Sequence, residues 1–200
     1  YPEGTIITSG LSKWCGAGGW RLGTLIFPKK LSEICLKIRA LASETFTSVS
    51  APIQFAAIKA YTENHKEFLE RSRKILNVVA DFVYKEFMLS GIDCIKPQGG
   101  FYMLCDFTNV ISKKNDINSA STLCKEILSE TGFAMLPGSN FGIDDKRLIT
   151  RIAFVDFDGE KALNHITKEK IVTQDDMILL FPKIVSGVKE LKKWVSSKKF

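Results

Sequence analysis

Long apolar runs are missing from this chain. A membrane-crossing helix needs roughly 18 or more consecutive apolar residues, and the short apolar stretch at 178–181 falls far below that. The sequence therefore offers no transmembrane helix. Histidine is scarce: His65 and His165 stand far apart and do not suggest a metal pair. Five cysteines, Cys15, Cys35, Cys94, Cys105 and Cys124, make an odd number without any C-x-x-C spacing. That argues against a disulfide framework or a zinc site and points to a reducing compartment, with the cytoplasm as the expectation. No initiator methionine and no secretory or transit signal are present, so the expectation is a fragment of a longer protein. The glycines fit neither a Walker A loop nor a G-x-G-x-x-G dinucleotide pattern.

The remaining composition is that of a globular chain. Of 200 residues, 45% are hydrophobic and 25% charged, which removes intrinsic disorder from consideration. The formal charge is +6, much of it in the terminal "KELKKWVSSKKF". A basic tail can serve nucleic acid or a membrane. Here Val185, Val188, Leu191 and Val195 recur at helical spacing between the lysines, with Trp194 on the apolar side. An amphipathic surface helix is the preferred reading, with neither nucleic acid nor membrane as partner.

Periodicity gives the elements. Short strands are expected at 5–8 and 24–28, on either side of a glycine-rich connection. Leu31, Ile34, Ile38 and Leu41 mark a helix over 29–41. "SETFTSVSAP" reads as a loop, and 51–61 as a short helix with Pro52 in its first turn. Phe68, Ile75, Val79, Phe82, Val83 and Phe87 keep one face apolar over 65–90, until Gly91 ends the helix. At about 1.5 Å per residue that helix is long enough to join two domains, with a boundary near residue 75. Beyond Gly91 strands and helices alternate: "FYMLCDF", a helix over 119–131, "FAMLP", "LITRIAFVDF", a helix near Asp158 capped by that residue, and a last helix from about Asp175. This grammar belongs to an α+β or α/β unit.

One segment carries chemistry. "SGLSKWCGAGGWRLG", residues 9–23, places Lys13 and Arg21 among glycines. Desolvation disfavours an ammonium, and a neutral lysine amine attacks carbonyls to form Schiff bases. An arginine fork with exposed backbone N–H groups suits a phosphate. An amine for an aldehyde and a fork for a phosphate match the two handles of pyridoxal 5′-phosphate (PLP). A lysine in a glycine-rich turn is usually a surface residue, and chemistry alone favours that reading.

The same segment resembles the cofactor-lysine motif of class I/II aminotransferases, which are fold-type I PLP enzymes. "PQGGFYMLCDF" (97–107), "LPGSNFG" (136–142) and "TRIAFVDFDG" (150–159) resemble three further family motifs, in family order. The resemblance implies that Lys13 is the catalytic, Schiff-base lysine and that Arg21 binds the cofactor phosphate. It assigns Arg151 to the substrate α-carboxylate, for which a bidentate guanidinium is chemically apt. Without the resemblance, Arg151 reads as a strand arginine pairing with Asp156 or another acid. The implied fold is α/β: residues 1–75 finish the large PLP domain and start the interdomain helix, and residues 76–200 form the small C-terminal domain. The implied activity is amino-group transfer from an amino acid to a 2-oxo acid, within amino-acid metabolism, by a homodimer of full-length chains. Family residues that hold the cofactor ring would precede Tyr1, so the fragment alone is expected to be inactive.

The sequence departs from the family in places. Gly10 stands where many members carry a phosphate-binding serine, and Ser9 or Ser12 are the possible substitutes. The stretch Glu44-Thr45-Phe46-Thr47 has no arginine for a side-chain carboxylate, which weighs against aspartate specificity. Phe101 reads either as a pocket residue or as a core aromatic. Rival functions are a β-lyase on the same scaffold, a non-catalytic remnant of the fold, and a nucleic-acid binder using the tail.

Overall fold

The computed structural model describes residues 1–111, 116–167 and 169–198. The chain divides into two compact units, Tyr1–Leu69 and Glu70–Phe200.

In the first unit, β1 (Ile7–Gly10) pairs antiparallel with β2 (Gly23–Ile26), from Ile7 opposite Ile26 to Gly10 opposite Gly23. The two strands expected around the glycine-rich segment thus form a hairpin, and that segment is its loop. Helix α1 (Ser32–Thr45) continues four residues beyond the expected end. Ser43 and Thr45 explain the difference: their hydroxyls donate back to the carbonyls of Ala40 and Leu41, at 2.7 and 2.8 Å, instead of opening the turn. Helix α2 (Ala51–Thr62) carries Pro52 in its first turn, where its missing N–H has no intrahelical partner to lose. The core here is small, made of Leu11, Leu22, Ala57 and Ala60. Helix α1 buries no residue, and Ile34, Leu36 and Leu41 are exposed on it.

Helix α3 (Lys66–Leu89) has 24 residues, begins in the first unit and runs into the second. At about 1.5 Å per residue it is close to 36 Å long. The chain leaves it through Gly91 at φ 82°, a left-handed position that glycine reaches without a Cβ penalty.

The second unit is built on an antiparallel sheet of order β3-β4-β6-β5. Its elements are β3 (Asp93–Cys94), β4 (Tyr102–Asp106), α4 (Ala120–Thr131), β5 (Leu136–Pro137), β6 (Ile149–Ala153), α5 (Gly159–His165), α6 (Gln174–Leu180) and α7 (Pro182–Lys198). Met103, Cys105 and Ile152 point into a core that includes Phe87, Ile92, Phe107, Leu123, Ile127, Phe181 and Leu191. Tyr102, Leu104 and Arg151 are only half-buried; alternation along the strands puts them on the other face. Asp158 caps α5 by accepting from Lys161 N at 2.9 Å.

The expected last helix is two helices. Pro182 has no N–H to continue α6 and disfavours helical backbone at Phe181, which sits at φ −126°, ψ 43°. On α7, Val188, Leu191, Trp194 and Val195 are buried, while Lys192 pairs with Glu86, Lys193 with Glu190 and Lys198 with Glu130. Lys192, Lys193 and Lys198 therefore engage the protein's own acids, as on an amphipathic surface helix. Lys199 and Phe200, the end of that basic tail, lie outside the described residues.

Thr173 and Asp176 close a reciprocal capping box at the start of α6. The hydrogen bond from Lys170, followed by those from Thr173, holds the Asp176 carboxyl well below its ordinary 3.8. A carboxyl with a depressed folded-state pKa stabilises the fold above its ordinary value, and that contribution is lost as pH falls through the folded-state value. The urea midpoint of the second unit is expected to drop from about pH 4 downward, and Asp176→Asn to make it both lower at neutral pH and flatter below about pH 4. Urea titrations followed by circular dichroism across that range read both outcomes.

Candidate functional site

The glycine-rich hairpin loop is held at both ends of its lysine. Leu11, two residues before Lys13, is fully buried against the α2 core. Trp14, one residue after, lies 6.1 Å from the rings of both Tyr61 and His65. Ala17 N donates to Leu11 O at 3.1 Å and Gly16 N to Lys13 O at 3.3 Å, so the backbone around Lys13 forms a closed turn. The Lys13 side chain itself is exposed. The burial on which the sequence-based case for a nucleophilic amine leaned is not supplied by the described residues around it.

Arg21 sits at φ 53°, the one non-glycine residue with positive φ among those described. A left-handed backbone at a residue with a Cβ costs on the order of 1 kcal/mol and clusters at functional positions. The guanidinium donates from Nη1 to Gly18 O at 2.9 Å, which folds the side chain over its own loop. Arg21, Ser9, Thr8, Thr24 and Ser50 line a cavity of about 750 Å³ within the first unit. Lys13 is not among its lining residues. The donor set suits an anion: one guanidinium, several hydroxyls and no carboxylate.

Gly10 has a structural reason. A Cβ there would stand 3.0 Å from Leu22 O across the hairpin, tighter than most real contacts. Any serine at this position needs the partner strand to shift. Of the two hydroxyls considered as substitutes, Ser9 lines the cavity with Arg21 and Ser12 does not.

In the second unit three sequence motifs converge on one side chain. Arg151 on β6 stands opposite Leu104 on β4 and Leu136 on β5. Its guanidinium carbon is 4.2 Å from the centroid of the Tyr102 ring and 4.0 Å from that of Phe141. Tyr102 comes from the "PQGGFYM" motif and Phe141 from "LPGSNFG". Such contacts are worth about 0.5–2 kcal/mol each, and flanking rings fix the plane of the fork. Arg151 Nε is buried without a hydrogen-bond partner. Asp156, one of the acids expected to compete for this arginine, pairs with Lys183 at 3.2 Å instead. Phe101, the aromatic singled out from sequence, packs against the core, its ring 4.5 Å from that of Tyr102 and tilted by 50°. Tyr102 and Phe141 were not singled out by sequence reasoning. Strand alternation from Arg151 could have indicated Tyr102; nothing local indicated Phe141.

Asp145 fixes the loop that carries Phe141. Its Oδ1 accepts from Ser139 Oγ at 2.9 Å, from Ser121 Oγ at 2.9 Å and from Ser121 N at 3.1 Å. These hydrogen bonds, led by that of the Ser121 hydroxyl, lower the carboxyl's pKa. The loop's first glycine, Gly138, packs so closely on β6 that a Cβ would lie 2.9 Å from Ile149 O.

Comparison with known proteins gives a consistent family. Residues 1–163 match the model of the family described as aminotransferase class I and II. The chain is 32% identical over 140 residues to the probable N-acetyl-LL-diaminopimelate aminotransferase of Bacillus subtilis, covering 68% of this chain and 32% of that protein. It is 29% identical over 175 residues to an aspartate aminotransferase of Pinus pinaster, covering 85% of this chain and 35% of that protein. The fold matches the crystal structure of the aromatic aminotransferase from Pyrococcus horikoshii with a TM-score of 0.71, at 23% identity, over 98% of this chain and 44% of that one. The chain spans about a third of the length of the curated relatives it matches.

The glycine contacts set a stability test. Gly138→Ala is expected to cost about 1–3 kcal/mol, since backbone must move to admit the methyl group. Gly99→Ala, where an added Cβ meets nothing within 4 Å, is expected to stay within about 0.5 kcal/mol of the parent. Equal urea midpoints for the two variants would show that the close packing of the Phe141 loop on β6 is not required.

Proposed function

This chain belongs to the class I and II aminotransferases, a PLP-dependent family, and on that premise we propose that it is part of a longer enzyme moving an amino group from an amino acid to a 2-oxo acid. In this reading residues 1–75 complete the large cofactor domain with the start of the interdomain helix, and residues 76–200 form the small domain. The exposed apolar side chains of α1, Ile34, Leu36 and Leu41, are then covered by the rest of the large domain. Full-length chains pair as a homodimer in a reducing compartment, the cytoplasm.

The observation that carries the reading is the environment of Arg151. Its guanidinium is flanked by two aromatic rings, and its neighbour Asp156 pairs elsewhere. Such a fork presents its edge to a carboxylate, which it binds bidentately and orients. Arg151 accordingly holds the α-carboxylate common to amino acids and 2-oxo acids. Arg21, with Ser9 lining the same cavity of the first unit, holds the cofactor phosphate there. With PLP bound, Lys13 would hold the cofactor aldehyde through Nζ, and its amine would serve as general base for the α-proton of the amino acid. PLP, when bound, supplies an electron-withdrawing ring that stabilises the negative charge left by that proton. The relatives are named for different donors, and the stretch Glu44-Thr45-Phe46-Thr47 provides no arginine for a second carboxylate. The donor is therefore proposed only as an α-amino acid.

In the full-length protein, borohydride reduction in the presence of PLP is expected to attach the cofactor to Lys13, as read by peptide mass mapping, and Lys13→Ala to abolish the attachment. Labelling elsewhere in the parent would overturn the assignment. Arg151→Lys replaces a fork by a point charge and is expected to raise KM for the amino donor about 10- to 100-fold. An unchanged KM would remove Arg151 from the substrate site. Release of free ammonia without consumption of a 2-oxo acid would indicate a lyase instead.

A further inference from the structure

Two cysteines that the transfer chemistry does not use face each other across the sheet. Cys94 on β3 is in register with Cys105 on β4. The neighbouring pair is hydrogen-bonded, Ile95 N donating to Leu104 O at 3.2 Å. Antiparallel ladders alternate, so Cys94 and Cys105 occupy a non-hydrogen-bonded site, where Cα atoms stand about 4.5 Å apart. A disulfide accepts Cα separations of about 4.4–6.8 Å, so the backbone needs little adjustment to bridge them. Both are free thiols close enough to interact, and Cys94 Sγ donates to Ile92 O at 3.6 Å. Cys15, Cys35 and Cys124 lie outside the strands and share no such register.

We propose that Cys94 and Cys105 form a thiol–disulfide site that reacts with a small-molecule disulfide and closes covalently across β3 and β4. The order of attack follows from burial. Cys94, at the edge of the sheet, is half-buried, whereas Cys105 is 1% exposed. Its hydrogen bond to Cys94, and then burial, hold the Cys105 thiol well above the ordinary range, so it is the slower to ionise. Cys94 loses its proton to solvent and attacks one sulfur of the oxidant, forming a mixed disulfide and expelling one thiolate. Cys105, deprotonated in its turn, attacks the Cys94 sulfur and expels the second thiolate. The two cysteines are oxidised to one disulfide, the oxidant's S–S bond is reduced to two thiols, and the two protons end on those thiols. The bridge closes the loop from Ile95 to Leu104, which contains the "PQGG" turn leading to Tyr102. It lies on the core face, away from Arg151, and requires neither the cofactor nor the proposed activity.

The full-length protein is incubated under native conditions with oxidised glutathione. It is then denatured, alkylated with iodoacetamide and mapped by peptide mass. The expected product is a Cys94–Cys105 peptide lighter by two hydrogens, free of alkylation and restored by dithiothreitol. In Cys105→Ser, Cys94 is expected to retain glutathione as a lasting adduct. If that variant does not fold, the parent's product decides alone. Full alkylation of both cysteines in the parent, glutathione left unresolved on Cys94, or a bridge to a different cysteine would each overturn the proposal.

Discussion

The geometry of the second unit depends on the pairing of β4 with β6. That register puts Leu104 opposite Arg151 and Cys105 opposite Thr150. Because strand side chains alternate, a slip of one residue would send Arg151 into the core and Ile152 to the open face. The core forbids it. Met103, Cys105 and Ile152 are each 2% exposed or less, and exchanging Ile152 for arginine on that packed face would bury a charge without a partner. Hydrophobic packing on one face thus fixes polar geometry on the other. The third strand adds to this, since Pro137 on β5 pairs with Thr150 and leads directly into Gly138 and the turn that ends at Phe141.

The first unit works differently. Its hairpin has four paired positions and a core of four buried residues, too little to fix a long loop by packing alone. Position is set by point anchors instead: Leu11 buried, Trp14 on Tyr61 and His65, and Thr24 Oγ1 within 3.3 Å of Tyr61 Oη. Strain enters at Arg21, whose left-handed backbone turns the chain between the 3₁₀ turn Gly18–Trp20 and β2. A glycine there would relieve the strain but lose the cation, so retaining arginine is consistent with a need for its charge at that point.

Much of this was legible in the sequence because helices announce themselves through one apolar face. The run of Ile75, Val79, Val83 and Phe87 became the buried side of α3, and Trp194 fell on the buried side of α7. Breaks were harder. Pro182 was visible, yet the apolar periodicity continues across it, and the two helices were read as one. Strand β3 has two residues, too few for any alternation to show. The four chemical motifs were legible as a resemblance, which located Lys13, Arg21 and Arg151 on the chain. Their surroundings were not. Phe141 reaches Arg151 through a turn whose shape depends on Asp145, Ser121 and Ser139, and no local pattern encodes a contact assembled by three separate segments.

That turn also shows why an exposed aromatic belongs beside a cation. Phe141 is 43% exposed, and an exposed ring gains little from burial. Its ring lies within 4.0 Å of the guanidinium carbon, and a contact of this kind recovers roughly 0.5–1 kcal/mol at an exposed site. Its larger effect is on water. With Tyr102 it covers part of the guanidinium and keeps water from its faces. The local dielectric falls as water is excluded, and a hydrogen bond made by the guanidinium becomes stronger. A lysine would use this arrangement less well, because a compact, strongly hydrated ammonium stacks no flat surface on a ring and has no planar fork. The pair of rings therefore favours arginine at this position on physical grounds alone.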